Sequence, residues 1–293
     1  MKILVTGGSG LLGAEVVRVF SEAGHDVVSG YNTHPPRIGV PIRLNLMELS
    51  EIRSLVQKPR PDIIIHTAAL TDVDLCESKP DAANLINGSA TGKIAEAAHN
   101  LGAYMIYVST DYVFDGQVGS YREEDEPNPV NRYGRSKLLG EELLRESNAT
   151  RCIARTSVLY GWGRDYRPNF GTWVLHRLES NEHIKVVNDQ LASPTLNLNL
   201  AEMILELATK RHEGVLHLAG AARIDRYSFA KQIAETFDLD PSLIEPVKSD
   251  QIDWKAKRPA DSSLNVDRAA RVLDRKPLEL NEALEQFRAA KRQ

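Results

Sequence analysis

Short apolar runs alternate with amphipathic stretches through the first half of the chain. Lys2 to Thr6 is an apolar run, a glycine-rich turn follows, and Ala14 to Ala23 repeats its apolar positions with helical spacing. The alternation continues with a strand from His25 to Gly30, a helix around Leu49 to Lys58, a strand from Asp62 to Thr67 and a helix from Asp81 to Asn100. Tyr104 to Ser109 and Arg151 to Thr156 read as further strands, with a helix from Arg132 to Glu146 between them. Gly24 and Gly102 fall just past helix ends, as C-terminal caps should. Strands alternating with helices predict an α/β fold with a Rossmann-type, doubly wound parallel sheet. After Tyr160 the pattern changes to short helices and prolines around Gly161-Trp162-Gly163, which predicts a smaller C-terminal lobe. Ligands of open α/β sheets sit beyond the carboxyl ends of the strands, so Gly7, Ala68, Thr110 and the loop after Thr156 should line one crevice.

The turn after the first strand reads Gly7-Gly8-Ser9-Gly10-Leu11-Leu12-Gly13. Glycines at 7, 10 and 13 let the chain turn tightly, let the backbone approach a pyrophosphate and let helix and strand pack closely, with phosphate held at the helix N-terminus. A glycine-rich turn without a ligand is the plain alternative for the motif alone, and its strand-turn-helix setting favours a dinucleotide. A P-loop is excluded, because Gly88 to Lys93, the nearest approach to one, is wrongly spaced. Dinucleotide folds that take NAD carry an acid near the end of the second strand for the ribose hydroxyls. Here Ser29-Gly30-Tyr31-Asn32-Thr33-His34 has none, and Arg37 and His34 stand nearby, which favours NADPH and leaves NADH open. A solvated loop arginine is the competing reading of Arg37. Candidate cofactor contacts are therefore Gly7, Gly10, Leu11, Leu12, Gly13 and Arg37. Asn45 and Leu46, after a third strand, are placed to approach the adenine, and Ala68, Ala69 and Leu70 follow the end of the fourth.

Composition adds exclusions. The chain has 293 residues, 42% hydrophobic and 26% charged, enough for one large domain or two modest ones. A net charge of -4 gives no basic footprint for nucleic acid or a membrane surface. The two cysteines, Cys76 and Cys152, and the eight histidines lack metal spacing, so no metal is expected and a reducing, cytoplasmic compartment is. The N-terminus carries no charged leader before a long apolar run, and no stretch reaches the length of a membrane span.

Candidate chemistry gathers between Ser109 and Lys137. Ser109-Thr110-Asp111-Tyr112-Val113-Phe114-Asp115-Gly116 ends the fifth strand, and Asn131-Arg132-Tyr133-Gly134-Arg135-Ser136-Lys137 opens the next helix. Tyr133 and Lys137, four residues apart, share one helix face. A phenol has an ordinary pKa of about 10, and a fixed cation beside it favours the phenolate and lowers that value. Tyr133 can then exchange a proton with a carbonyl or alcohol oxygen. Spacing alone does not single it out: of nine tyrosines, two have a lysine four residues on. The second pair, Tyr227 and Lys231, sits in a later amphipathic helix and reads as structural. Ser109-Thr110 upstream decides for Tyr133.

On these residues the chain resembles the extended short-chain dehydrogenases/reductases. Ser109 to Gly116, Arg155-Thr156-Ser157-Val158-Leu159-Tyr160-Gly161, Asp189-Gln190-Leu191-Ala192-Ser193-Pro194-Thr195, Arg258-Pro259 and Ser263-Leu264-Asn265 are similar to the dTDP-4-dehydrorhamnose reductase family, along essentially the whole chain. The resemblance implies NADPH-dependent reduction of the C4 keto group of a nucleotide-linked 6-deoxy sugar, dTDP-4-dehydro-L-rhamnose to dTDP-L-rhamnose. It implies Tyr133 as general acid, Lys137 on the nicotinamide ribose hydroxyls and Thr110 on the substrate oxygen, with Asp111, Val158 and Arg258 as further substrate contacts. It also implies an NADP(H)-binding domain over residues 1–160, rejoined by about 194–220, a smaller substrate-binding lobe over 161–193 and 221–293, and a homodimer.

Related families separate at single positions. Nucleotide-sugar dehydratases similar to this family carry Thr-Asp-Glu where this chain has Thr110-Asp111-Tyr112, and epimerases keep an acid after the second strand. A rival from another class is the non-catalytic, dinucleotide-binding subunit of methionine adenosyltransferase, which resembles the same family. For a diphosphate, Arg164, Arg167, Lys255 and Lys257 are further cations, against which stands the ordinary solvated role of surface charge. Trp162 and Trp254 are aromatic candidates for stacking, with core packing as the alternative. Asn87 faces either the active site or solvent, and Asp111 either contacts substrate or orients the Thr110 loop.

Overall fold

The computed structural model describes residues 1–163 and 168–291. Six strands, β1 (Lys2–Thr6), β2 (Asp26–Tyr31), β3 (Val40–Arg43), β4 (Ile63–His66), β5 (Tyr104–Thr110) and β6 (Arg151–Thr156), join an edge strand, Gly214–His217, in one sheet. Every pairing is parallel. The strand order is edge, β6, β5, β4, β1, β2, β3, so the direction of winding reverses between β1 and β4 and opens a crevice there. The expected doubly wound sheet is the fold observed.

Both faces of the sheet are buried, which is why its strands read as apolar runs and not as alternating ones. Ile3, Val5, Ile65 and Ile106 point to the face covered by the helices Leu11–Glu22 and Asn197–Lys210. Leu4, Ile64, Met105 and Tyr107 point to the other, under Leu49–Gln57, Ala90–Leu101 and Arg132–Glu146. A third cluster, with Tyr160, Leu175, Phe229, Ile233 and Phe287 at its centre, draws on none of the seven strands. It is built on the helices Phe170–Glu179, Arg226–Thr236 and Leu280–Ala290. Among the described residues no helix is long and apolar enough to cross a membrane.

Two element boundaries depart from the sequence reading. The first helix begins at Leu11 and not at Ala14, because the amide of Ala14 already bonds the Gly10 carbonyl at 3.0 Å. Leu11, Leu12 and Gly13 therefore form the first helical turn and not part of the loop. The helix expected from Asp81 to Asn100 is interrupted: a turn at Pro80–Ala83 runs into a π-helical stretch, Asn84–Ser89, before Ala90–Leu101. Such π turns recur at functional sites, and this one presents Asn87 to the crevice walls.

Candidate active site

The carboxyl ends of β1, β4, β5 and β6 open into a cavity of about 950 Å³, a volume in the range of small-molecule and cofactor sites. Gly7, Gly10, Leu11, Leu12, Gly13, Asn45, Leu46, Ala68, Ala69 and Leu70 line it together with Thr110, Asp111, Tyr133, Lys137 and Val158. Trp162, Asn169, Thr172 and His176 add to the wall from beyond the sheet.

The glycine turn fits a dinucleotide. Gly7 takes φ +69°, a left-handed conformation, and a Cβ on Gly13 would collide with the Gly7 carbonyl. The helix Leu11–Glu22 begins at Gly10 with no side-chain cap, so the amides of its first turn are left to a phosphate. After β2, Tyr31, Asn32, Thr33 and His34 line the cavity with no carboxylate among them. Arg37, expected to contact the cofactor, is exposed and lies outside the lining, and Thr33 and His34 occupy the wall that its loop approaches.

The helix Arg132–Glu146 starts where Asn131 caps it, accepting from the Gly134 amide at 2.9 Å. Asn131 also donates to the Lys257 carbonyl at 2.8 Å, which ties the helix start to the C-terminal segment. Tyr133 stands edge-on to Tyr112, ring centres 5.8 Å apart, and shares a hydrogen bond with Thr110. Lys137 is buried, donates to the Val108 carbonyl at 2.8 Å and lies 4.1 Å over the Tyr107 ring. Burial pushes the Tyr133 phenol above its ordinary value, with the Thr110 bond acting the other way. Burial also brings Lys137 down to about 7, opposed by Glu141. The lowered tyrosine pKa expected from the spacing is thus corrected. The ammonium is aimed at a carbonyl and is outweighed by desolvation.

Asp111 is 3% exposed and accepts from Thr110 Oγ1 at 3.0 Å, Ser157 Oγ at 2.8 Å and Ser262 Oγ at 2.5 Å. Three segments meet on one carboxylate, so it orients the Thr110 loop while lining the cavity. Val158 takes φ +34°, a strained conformation for a β-branched residue. Asn87 is fully buried and not on the surface: its Oδ1 accepts from the Leu70 amide at 2.8 Å, and its Nδ2 donates to the Leu70 carbonyl at 3.0 Å and to Ser136 Oγ at 2.9 Å. It clasps the loop after β4 to the Tyr133 helix.

Among the described residues, Lys255, Lys257 and Arg258 do not line the cavity. Arg258 pairs with Asp74 through two bonds of 2.7 and 3.0 Å and stacks 4.5 Å over Trp254, outside the lining. Arg258, expected to contact substrate, is here engaged with Asp74 and stands outside the lining that Thr110, Asp111 and Val158 share. Lys255 and Lys257 are exposed, and Arg164 and Arg167 lie outside the described residues. Trp162 lines the cavity with its indole N–H fixed to the Phe287 carbonyl at 2.7 Å.

Sequence reasoning missed His66. Its Nδ1 lies 2.6 Å from Thr6 Oγ1 and its Nε2 3.0 Å from Thr91 Oγ1. Thr91 spends its proton on the Asn87 carbonyl at 2.8 Å, so Nε2 carries the imidazole hydrogen and Nδ1 accepts from Thr6. It also missed the pair of Glu141 and Arg155, although Tyr133, Lys137 and Glu141 recur every four residues along one helix face.

The RmlD substrate binding domain family model matches residues 1–292 of the chain. A probable low-salt glycan biosynthesis reductase, Agl14, of Haloferax volcanii is 37% identical over 270 residues, 91% of this chain and 90% of its own length. The methionine adenosyltransferase 2 subunit beta of Bos taurus is 33% identical over 91% of this chain and 81% of its own. The crystal structure of dTDP-4-dehydrorhamnose reductase from Bacillus anthracis in complex with NADP superimposes with a TM-score of 0.88 at 31% identity, covering 99% of each chain. With its glycine turn, its Thr110, Tyr133 and Lys137 around one cavity, and matches along nearly its full length, this chain belongs to the RmlD substrate binding domain family, among the dTDP-4-dehydrorhamnose reductases of the extended short-chain dehydrogenase/reductase class.

Proposed function

We propose that the chain is an NADPH-dependent reductase of the C4 keto group of a nucleotide-linked 6-deoxy sugar, converting dTDP-4-dehydro-L-rhamnose to dTDP-L-rhamnose. The observation that carries this reading is the convergence of Thr110, Tyr133 and Lys137 on the cavity that the glycine turn also lines. NADPH, when bound, supplies the hydride that adds to the keto carbon, leaving NADP⁺. Tyr133 gives its phenolic proton to the keto oxygen, so that carbonyl, hydride and proton add up to a secondary alcohol. A phenol pushed up by burial is fully protonated at neutral pH, which suits an acid that must hold its proton until the oxygen becomes basic. Thr110 turns its one hydroxyl proton from Asp111 to the same oxygen and stabilises the developing alkoxide. Lys137 holds the ribose hydroxyls of the nicotinamide half.

The remaining parts of the proposal rest on the same site. Gly7, Gly10, Leu11, Leu12 and Gly13 cradle the pyrophosphate, and the carboxylate-free wall after β2 favours NADPH, with NADH accepted more weakly. Residues 1–160 with about 194–220 hold the cofactor, and 161–193 with 221–293, supported by their own hydrophobic cluster, close over the sugar nucleotide. Two free buried cysteines support a cytoplasmic site of action, and the family resemblance supports a homodimer. Tyr112 beside Tyr133, in place of the dehydratase glutamate, leaves no second carboxyl for elimination.

The test is oxidation of NADPH, followed by its absorbance, with the keto sugar and wild-type or Tyr133→Phe protein. Wild-type turnover with a loss of at least about a thousandfold in kcat for the variant is expected. The bovine relative gives the alternative outcome its form: a wild-type chain with no turnover that co-purifies stoichiometrically with a methionine adenosyltransferase is a regulatory subunit, and the reductase reading fails.

A further inference from the structure

A buried carboxylate stands behind the catalytic residues without lining the cavity. Glu141 lies one helical turn beyond Lys137 on the helix that carries Tyr133. Its Oε1 accepts from Ser109 Oγ at 2.6 Å and Arg155 Nε at 2.9 Å, and its Oε2 accepts from Arg155 Nη2 at 2.7 Å and Arg145 Nη2 at 2.9 Å. The Glu141 side chain is 0% exposed and that of Arg155 2%, whereas Arg145 is 38% exposed at the rim. One carboxylate thus fastens the helix to β5, at the residue before Thr110, and to β6, at the residue before Thr156.

We propose that Glu141 is a positioning residue for the reaction: through Ser109 and Arg155 it sets the helix against β5, and its negative charge keeps the buried Lys137 ammonium protonated to hold the cofactor. The inference rests on the reading of Lys137 as the cation that binds the ribose hydroxyls. Geometry leaves few other sources for that charge balance. Lys137 is 2% exposed, and its contacts are a neutral carbonyl and the face of a phenol ring. His66 from β4 is buried and neutral, Tyr107 from β5 and Tyr133 from the same helix are phenols pushed up by burial, and His217 from the edge strand is held neutral by burial. Arg155 from β6 is a second buried cation. An arginine does not release its proton in a protein, so if the carboxylate goes, the lysine is the group that yields. Burial lowering Lys137 and Glu141 raising it agree with that order of effects.

The test compares wild type, Glu141→Gln, Ser109→Ala and Arg155→Met. NADPH dissociation constants, read from nicotinamide fluorescence, and kcat/KM with the keto sugar are measured from about pH 5.5 to about pH 9. In Glu141→Gln the basic limb of both profiles moves down by about one pH unit, so cofactor binding weakens roughly tenfold at pH 8 and recovers toward wild type below about pH 6. Ser109→Ala loses the contact to β5 but keeps the charge, and its limb stays in place even if kcat falls. Arg155→Met leaves Glu141 less neutralised and moves the limb upward, which keeps the test open if Glu141→Gln does not fold. A folded Glu141→Gln with the wild-type limb, an equal displacement in Ser109→Ala, or an unmoved limb in Arg155→Met overturns the inference. Displaced binding limbs without any sugar turnover would leave it standing and remove the reductase reading instead.

Discussion

His66 shows how much a single residue behind the site can weigh. It is fully buried between Thr6 and Thr91, and burial, helped by the Lys137 charge, holds its imidazole down to about 3. An unfolded histidine titrates near 6.5. Because the folded value is the lower one, the unfolded chain binds the extra proton between about pH 6.5 and about pH 3. The stabilisation is therefore complete above about pH 6.5 and is lost as the pH falls, at about 1.4 kcal/mol per pH unit. Between pH 7 and pH 5 this ring alone should take about 2 kcal/mol from the unfolding free energy. Urea unfolding of wild type and His66→Asn at the two pH values measures it: the acid loss should shrink by about that amount in the variant, although the variant is less stable at pH 7. Equal acid losses in both proteins would mean that the ring takes up its proton without leaving its two threonines. Nothing in the local sequence announces this residue, because a histidine at the end of an apolar run has the same pattern whether it packs, binds or catalyses.

At the scale of elements, the catalytic helix and the π turn are fitted to each other. Gly140 of the Arg132–Glu146 helix faces the Asn87 carbonyl and the Tyr107 hydroxyl so closely that a Cβ would overlap both, while Gly88 meets Leu139 and Gly92 meets Leu143 from the opposite side. Alanine for glycine inside a helix ordinarily gains about 1 kcal/mol. Here the methyl must lift the helix from β5, and we expect Gly140→Ala to lower stability by roughly 2 kcal/mol and kcat by more than tenfold. Calorimetry and turnover of the one variant decide it, and a raised melting temperature would mean that helix propensity outweighs the contact. The helices themselves were legible in the sequence, since each shows apolar positions at helical spacing. Their junction was not. The extra residue of the π turn leaves the apolar period nearly intact and is fixed by Asn87 reaching Leu70 and Ser136, partners that no window of the sequence contains. The glycine turn was legible as a phosphate cradle, but Leu11, Leu12 and Gly13 belong to the helix, because the capping glycine offers no side chain to mark the boundary.

Across the whole molecule, the residues readable from sequence lie near strand ends, and the contacts that are not readable join partners far apart along the chain. Thr110, Tyr133 and Lys137 follow from a strand and a helix next to it. Arg258, expected to contact substrate, meets Asp74 across 184 positions, and Ser262 meets Asp111 across 151. Together these contacts pin the segment from Ala256 to Ser263 to Asp74 and to the Asp111 carboxylate: the Ala256 amide also bonds Asp74 at 2.9 Å, and the guanidinium holds that carboxyl below its ordinary range. The two roles of Arg258 predict different mutant patterns. As a clasp, Arg258→Ala and Asp74→Asn should each cost about 1–2 kcal/mol in urea unfolding, and the double variant about the same, because either change breaks the one pair. Both single variants should then raise KM for the sugar nucleotide by similar factors, since the loosened segment no longer holds Ser262 on Asp111, while NADPH affinity stays within about twofold. A diphosphate ligand would behave otherwise, with Arg258→Ala raising KM more than tenfold and Asp74→Asn, by freeing the guanidinium, leaving it unchanged or lower. The bidentate pairing and the stacking on Trp254 favour the first pattern, so the selectivity of this chain for its sugar nucleotide should be set by how the C-terminal segment closes on the Thr110 loop and not by a charge from Arg258.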